Sequence, residues 1–502
     1  MTATDPADDG LRKPPQTTAQ GVKWSGTAVI LRQLAQVASA LVIARILGPS
    51  SYGVVSAATI YVTLTTLMLD QGLSSALIQR PSLERRAPGA VATLNILLAV
   101  LLAVLTWFLA PVIADFFRVD ALAEVLRILG VLLPLKALAV VPRAMLSRTL
   151  QFKHIAVADV VGAVIGAIAG IASALLGADF FATVYQTLVT DALVAVVLLI
   201  AFRGPVPNLA FRSMGMLLSY SIKVFATNCI AYFSRNIDNI LVGRFLGVTS
   251  LAFYGMAYRV LSIPVQLIGQ TVNRVLFPVF SRNAGDRVRI ARQLTDATEM
   301  LATTVIPIMV LISAAAPQLV MAVLGPEWAA AAVLISILAL GGARETVFYI
   351  TPSLMKALGF ASLNLRYELF ATALQVGGIV IGLQFGVVGV AAGYTIAGFV
   401  LAPVLLAIQR RLTGVRIRAQ LGVMLPAVHA SIWGAAVYLG IGLLGLPDLL
   451  HLVVGGLAFV LSCVGVFLLF HRRTARRFVQ RARETIGSRR APKPTTPGED
   501  AV

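Results

Sequence analysis

Apolar runs of about 20 residues or more follow one another from Trp24 to Phe470, with only short polar connections between them. Wound as an α-helix, a run of that length matches the hydrocarbon thickness of a bilayer. Backbone polar groups in lipid must be satisfied internally, so helices and closed barrels are the only spanning structures. Barrel strands would alternate apolar and polar residues over about 10 positions, and these runs do not. Composition agrees, with 58% hydrophobic and 13% charged residues and a mean hydropathy of +0.86, far from an ordinary soluble domain. The chain reads as an all-α integral membrane protein with about fourteen transmembrane helices.

The expected spans are 24–46, 52–77, 91–114, 124–145, 156–178, 180–202 and 216–244, then 250–273, 296–324, 329–355, 364–385, 387–408, 422–445 and 449–470. Residues 1–22 read as a disordered segment, and 472–502 as a basic tail. The first apolar run carries Arg32 and is too long for a cleavable signal. Cations crowd the connections after even-numbered spans: Arg80, Arg85 and Arg86; Arg143, Arg148 and Lys153; Arg203 and Arg212; Arg282, Arg287, Arg289 and Arg292; Lys356 and Arg366; Arg410, Arg411, Arg416 and Arg418. The positive-inside rule then puts both termini in the cytoplasm and accounts for the net charge of +19. The arginines after His471 fit a topology anchor meeting anionic lipid better than a nucleic-acid site. Cys229 and Cys463 lie in separate spans with no metal-ligand spacing, as small core residues would.

An internal repeat organises the chain. Arg45-Ile46-Leu47-Gly48 followed by Tyr52-Gly53 recurs about 200 residues later as Arg244-Phe245-Leu246-Gly247 followed by Tyr254-Gly255. A weaker pair, Pro142-Arg143-Ala144-Met145 and Pro352-Ser353-Leu354-Met355, keeps the same order. Both copies start on the same side, which makes them parallel repeats about an axis along the membrane normal. The expected division is an N-terminal lobe over 23–210, a C-terminal lobe over 211–412 and an appended helix pair over 413–471.

Several spans carry groups that lipid does not tolerate. A charge at the bilayer centre costs about 2.5 to 3.5 kcal/mol on insertion scales, so it normally faces protein or a wet cavity. In span seven, Asn228, Tyr232, Arg235 and Asn239 fall within roughly 60° of one another, with Asp238 beside them. Arg32, Gln33, Gln36 and Ser39 form a similar strip in span one. Span eight adds Arg259, then Gln266, Gln270, Asn273 and Arg274 below a kink at Pro264. Lys136 and Arg344 bring the cations of Arg32, Arg235 and Arg274 into both lobes, where they outnumber the central carboxylates Asp191, Asp238 and Glu345.

Structural readings stand beside the functional one. Arg235 and Asp238 are spaced to form an ion pair at a helix contact, Lys223 and Arg259 can snorkel, and Gln and Asn serve as interhelical glue. The accumulation of cations favours a path for an anion, and arginine's planar fork suits phosphate. Asp191, the carboxylate with no evident partner, joins Asp238 and Glu345 as a candidate for binding a coupling proton or Na⁺.

These residues also carry a resemblance. Arg45 to Gly48 with Tyr52-Gly53, Asp70-Gln71-Gly72-Leu73-Ser74-Ser75-Ala76-Leu77-Ile78-Gln79-Arg80, and the second-half stretches from Asp238 to Gly247 and Tyr254 to Arg259 resemble the polysaccharide transporter family, Wzx-type flippases of the MOP superfamily. The likeness covers most of residues 22–412. It implies a V-shaped, MATE-like pair of six-helix lobes that translocates undecaprenyl-diphosphate-linked oligosaccharide across the bacterial inner membrane, for later polymerisation or ligation. Polar faces of spans one, seven and eight would hold the head group, and the appended pair would offer a groove for the lipid tail. Membrane lipids, a polysaccharide polymerase and glycosyltransferases are the implied partners, with no cofactor and no nucleic acid.

Enzymatic readings find little support. The four histidines are scattered, no metal-ligand cluster or nucleotide phosphate loop occurs, and no connection is long enough for a catalytic domain. Two rivals to the flippase remain. A multidrug exporter of the same superfamily would favour an acidic or aromatic cavity, and a non-transporting envelope-assembly scaffold would use the polar stripes only for packing.

Overall fold

The computed structural model describes residues 18–70, 77–78, 84, 86–202, 207–210, 215–477 and 480. Among them there is no strand. The helices are α1 (Thr18–Asp70), α2 (Ala87–Phe117), α3 (Ala121–Val131), α4 (Leu133–Arg148), α5 (Phe152–Leu175), α6 (Phe181–Ala201), α7 (Gly215–Leu246) and α8 (Val248–Pro264). After a π-helical turn over Val265–Gly269 come α9 (Gln270–Arg282) and α10 (Arg287–Val323). A single 3₁₀ turn, Pro326–Trp328, leads to α11 (Ala329–Phe348), α12 (Thr351–Ala357), α13 (Ala361–Leu383), α14 (Gly386–Thr413), α15 (Ile417–Gly442) and α16 (Asp448–Phe470).

Ten helical segments among the described residues are long and apolar enough to cross a membrane. The chain is therefore a multi-pass helical membrane protein. The remaining expected spans, around 216–244, 250–273 and 364–385, are also helical, but charges such as Arg235 and Asp238, Arg259 and Arg274, or Arg366 and Glu368 interrupt them. Helix surfaces follow the logic of lipid. On α2, Phe108 is 71% exposed, whereas Asn95 and Thr106 are fully buried, and the Thr106 hydroxyl meets the Tyr61 hydroxyl of α1 at 2.8 Å.

Contacts within the chain define two units. The first comprises residues 1–256, 323–331 and 379–390; the second comprises 257–322, 332–378 and 391–502. In the first unit α1 breaks at Gly48, whose φ of 72° is left-handed and strained for a side chain. A Cβ there would also lie 2.5 Å from the Glu327 carboxylate. Near this break Trp328, fully buried, donates from Nε1 to the Ala44 carbonyl at 3.1 Å and meets Tyr52 and Phe253 edge-on. The repeat motif is thus partly a turn motif: Gly247, the mate of Gly48, has φ 84°, and Tyr52 and Tyr254 are both buried.

Small residues fix the tightest contact of the first unit. Gly162, Gly166 and Gly170 stand at four-residue spacing on α5, and any Cβ added to them would run into Val194, Thr190 or Gln186 of α6. Where lipid surrounds both helices, dispersion contact from such close approach replaces hydrophobic exclusion as the force joining them. In the second unit, α15 and α16 pack as a pair through Gly434 against Phe459 and Cys463. Tyr438, Phe459 and Cys463 then join Ala315 of α10 in one core. Cys463 is buried as expected, whereas Cys229 is only partly so.

Candidate functional site

The first unit holds a cavity of about 570 Å³ lined chiefly by α1 beyond Gly48 and by α6. Thr59, Thr63 and Thr66 recur at helical spacing on α1, and Thr183 and Thr187 face in from α6. Thr59, Thr63 and Thr66 donate to carbonyls of their own helix at 2.7–2.8 Å, as does Thr187 at 2.8 Å. Their oxygens remain able to accept from a ligand. The buried Thr183 hydroxyl has no hydrogen-bond partner among the described residues. Lys136 of α4 brings the cavity's cation, with Nζ 3.5 Å from the Thr66 hydroxyl.

Behind that ammonium stands Asp191 of α6, 3.4 Å from Nζ. This corrects the expectation of an unpartnered Asp191. Helices α4 and α6 are adjacent, so residues far apart in sequence meet. The contact is Coulombic, since the facing oxygen makes no well-directed hydrogen bond. Both side chains keep about a fifth of their surface accessible, 18% and 20%. Lys136 lines the cavity, and the Asp191 oxygen that faces its ammonium is buried behind it.

A second cluster involves a residue that sequence reasoning overlooked. Asp159 of α5 accepts two hydrogen bonds from Arg143, at 2.6 and 3.1 Å, and a longer one from Arg32 at 3.5 Å. Two guanidiniums thus share one carboxylate. Arg143, expected in a connection as a topology cation, lies inside α4. Gln36, expected beside Arg32 on the path, is exposed.

On α7 the i, i+3 ion pair of the structural alternative does not form. Asp238 is buried and accepts from the Tyr254 hydroxyl at 3.0 Å, the Asn239 backbone N–H at 2.8 Å and the Asn239 amide at 3.2 Å. Arg235 is exposed and has no ion pair among the described residues. Tyr232 of the same stripe is buried, its hydroxyl donating to the Ile60 carbonyl. Asn228 and Asn239 are partly buried. The stripe is therefore divided: packing engages Tyr232 and Asp238 while Arg235 stays accessible.

In the second unit Arg344 of α11 is 9% exposed, and its Nε has no hydrogen-bond partner among the described residues. Its guanidinium lies against Gly398 of α14, where a Cβ would come within 2.9 Å of it. Tyr367 of α13 is within electrostatic reach of Arg344, Glu345 and Glu368. Glu345 accepts from the Tyr394 hydroxyl at 3.2 Å, and Tyr394 meets Tyr258 edge-on. Arg259, next to Tyr258 on α8, is partly buried. The side chains of Lys223, Gln266, Gln270, Asn273 and Arg274 lie outside the described residues.

The threonine face was absent from the expected site, although its signal is in the sequence. Thr59, Thr63 and Thr66, then Thr183 and Thr187, are hydroxyls at helical spacing within otherwise apolar spans. A threonine can satisfy its own hydroxyl on the preceding turn, which makes such a face easy to read as ordinary helix.

Comparisons with known proteins agree with this architecture. Residues 42–333 match the family described as polysaccharide biosynthesis protein. The teichuronic acid biosynthesis protein TuaB of Bacillus subtilis (strain 168) is 26% identical over 351 residues, 69% of this chain and 73% of the relative. The succinoglycan biosynthesis transport protein ExoT of Rhizobium meliloti (strain 1021) is 26% identical over 343 residues, 68% of this chain and 69% of the relative. The fold is similar to that of the lipid II flippase MurJ in its inward closed conformation. That likeness has a TM-score of 0.67, covers 87% of this chain and 99% of the other, and at 16% identity is one of fold.

Proposed function

Because the chain belongs to the polysaccharide biosynthesis protein family, we propose that it moves an undecaprenyl-diphosphate-linked oligosaccharide from the inner to the outer leaflet of the bacterial inner membrane. The product feeds exopolysaccharide, lipopolysaccharide or capsule synthesis. The observation that carries this reading is the threonine-lined cavity with Lys136 at its wall. A chamber rich in hydroxyl oxygens accepts hydrogen bonds from a sugar, and the ammonium attracts phosphate. Relatives named for teichuronic acid and succinoglycan biosynthesis support the same class of cargo.

In this reading fourteen spans form two six-helix lobes, over 23–210 and 211–412, with α15 and α16 as the appended pair and both termini cytoplasmic. Alternating access opens the path to each face in turn. Arg32, Gln36, Lys136, Asn228, Arg235, Asn239, Arg259, Gln270, Arg274 and Arg344 contact the head group at successive stages. Ion coupling uses the Lys136–Asp191 pair. A phosphate that engages Lys136 withdraws the ammonium from Asp191, and the stranded carboxylate takes up a proton, with Asp238 and Glu345 as further carboxylates on the route. Polymerase and glycosyltransferases act on either side of this step without being needed for it.

Purified protein in liposomes tests the proposal. Lipid-linked oligosaccharide should become accessible on the opposite leaflet, and Arg235→Ala should slow that movement while leaving membrane insertion intact. Efflux of drug cations without oligosaccharide movement would establish the exporter instead. Movement of neither would favour a scaffold.

A further inference from the structure

The second unit contains a larger cavity that no step of translocation uses. It measures about 710 Å³ and lies where the turn before α10, the turn before α13 and the end of α14 come together. Three of its lining residues are arginines, Arg287, Arg366 and Arg411, and none of the described residues that line it is acidic. The acid next in sequence, Asp286, is engaged by Arg289 at 3.5 Å. Arg366 and Arg411 form no ion pair among the described residues. Arg287 is held in place, donating from Nη2 to the Arg411 carbonyl at 2.9 Å. Three like charges gathered around one depression repel one another, and an anion between them relieves that repulsion.

The rest of the lining identifies the kind of anion. Ile290, Leu358, Phe360 and Leu363 supply an apolar side to the same cavity. Phe360 is 48% exposed and Leu365 and Leu369 farther along α13 are 60% and 63% exposed, so exposed apolar side chains continue from the cavity along α13. A soluble phosphate would gain from the arginines alone. A glycerophospholipid gains from both, with its phosphodiester on the guanidiniums and its acyl chains along α13. We infer that this cavity is a binding site for an anionic glycerophospholipid of the surrounding bilayer, separate from the path of the transported molecule. The inference rests on the membrane-spanning fold and stands whether or not the chain is a flippase.

Native mass spectrometry of the full chain released from nanodiscs tests it. Discs are made from phosphatidylcholine with an equal share of phosphatidylglycerol, and the retained lipids are counted. The wild type should keep phosphatidylglycerol well above phosphatidylcholine. The exposed pair Arg366→Gln/Arg411→Gln should lower that preference about tenfold or more, given roughly 1 kcal/mol for each arginine near an anionic surface. Arg418→Gln, which removes an exposed arginine outside the cavity, should leave the preference unchanged. Equal retention of both lipids, an equal fall in Arg418→Gln, or no fall in the double variant would overturn the inference. So would displacement of phosphatidylglycerol by millimolar inorganic phosphate, which would make the site one for the free ion. Size-exclusion profiles matching the wild type confirm that each variant has folded.

Discussion

Arg45 and Val323 stand 278 positions apart, yet the Arg45 guanidinium donates to the Val323 carbonyl at 3.1 Å. Val323 is the last residue of α10, where carbonyls lack partners and the helix dipole is negative. The repeat mate does the same elsewhere. Arg244 donates to the Phe116 carbonyl near the end of α2 at 2.8 Å, and its guanidinium lies 5.2 Å from the Phe116 ring centre. The arginine of each motif copy thus meets the C-terminal end of a helix more than 100 residues away in sequence.

Arg45→Met and Arg244→Met should therefore each lower stability by about 0.5 to 1 kcal/mol, the usual scale of a partly exposed charge at a helix end. The double variant should lose the sum, because the two guanidiniums meet the ends of different helices. Thermal unfolding in detergent measures this. A double variant no less stable than either single one would show that the caps act as one unit or contribute nothing.

Gly166→Val places a branched side chain where even a Cβ would overlap the Thr190 hydroxyl and approach the Gln186 carbonyl to 3.0 Å. Helices α5 and α6 must separate to admit it, at a cost of about 1 to 3 kcal/mol for overpacking. Yield and melting temperature should both fall. Gly177→Ala, where a Cβ would meet nothing within 4 Å, should cost only what its left-handed φ of 83° imposes.

Acid should weaken the docking of α15 with the end of α16. The Trp433 indole donates to His429 Nε2 at 3.1 Å, so neutral His429 carries its proton on Nδ1 and donates it to His471 Nε2, also 3.1 Å away. Burial first, and the neighbouring His429 second, push the His471 imidazole below its ordinary value of 6.5. A depressed histidine binds fewer protons folded than unfolded, so its contribution is intact above pH 6.5 and is lost as the pH falls below that value. The melting temperature of the wild type should drop on acidification through this window. His471→Gln should flatten that drop, and an identical profile in both would remove His471 as its source.

The extent to which sequence disclosed this arrangement depends on distance along the chain. Apolar run length located the helices, because lipid imposes it locally on each segment. The repeat motif located two turns, because Gly48 and Gly247 need a left-handed backbone. Ion pairing was less legible. Spacing suggested that Arg235 meets Asp238, but Tyr254 and Asn239 satisfy that carboxylate instead. Lys136 with Asp191, and Asp159 with two arginines, depend on which helices become neighbours. Periodicity within one helix carries no record of that choice.

Arg344 and Gly398 offer a test that leaves the charge in place. Gly398→Ala would set a methyl about 2.9 Å from the guanidinium carbon, and the arginine has to shift by a few tenths of an ångström. If Arg344 binds the transported head group, Gly398→Ala should slow translocation while the fold persists, and Arg344→Lys should not substitute, since lysine lacks the planar fork. Leaflet-accessibility assays in liposomes report both. Full activity in Gly398→Ala together with Arg344→Lys would take Arg344 off the path.

The Lys136–Asp191 pair separates stability from transport most cleanly. Lys136→Met strands Asp191 without its counter-charge, which should cost about 1 to 3 kcal/mol, less than for a fully sealed pair because both side chains keep some accessible surface. Removing both charges as Lys136→Met/Asp191→Leu should recover most of that stability, since the unpaired carboxylate is gone. Translocation should stay low in both variants, because the cavity has lost its ammonium. Asp191→Asn should instead retain substrate binding through Lys136 while losing its response to an imposed proton gradient. Melting curves and gradient-dependent translocation rates in liposomes distinguish these outcomes. Wild-type transport in the double variant would return the pair to a packing role, and an unchanged gradient response in Asp191→Asn would place coupling elsewhere.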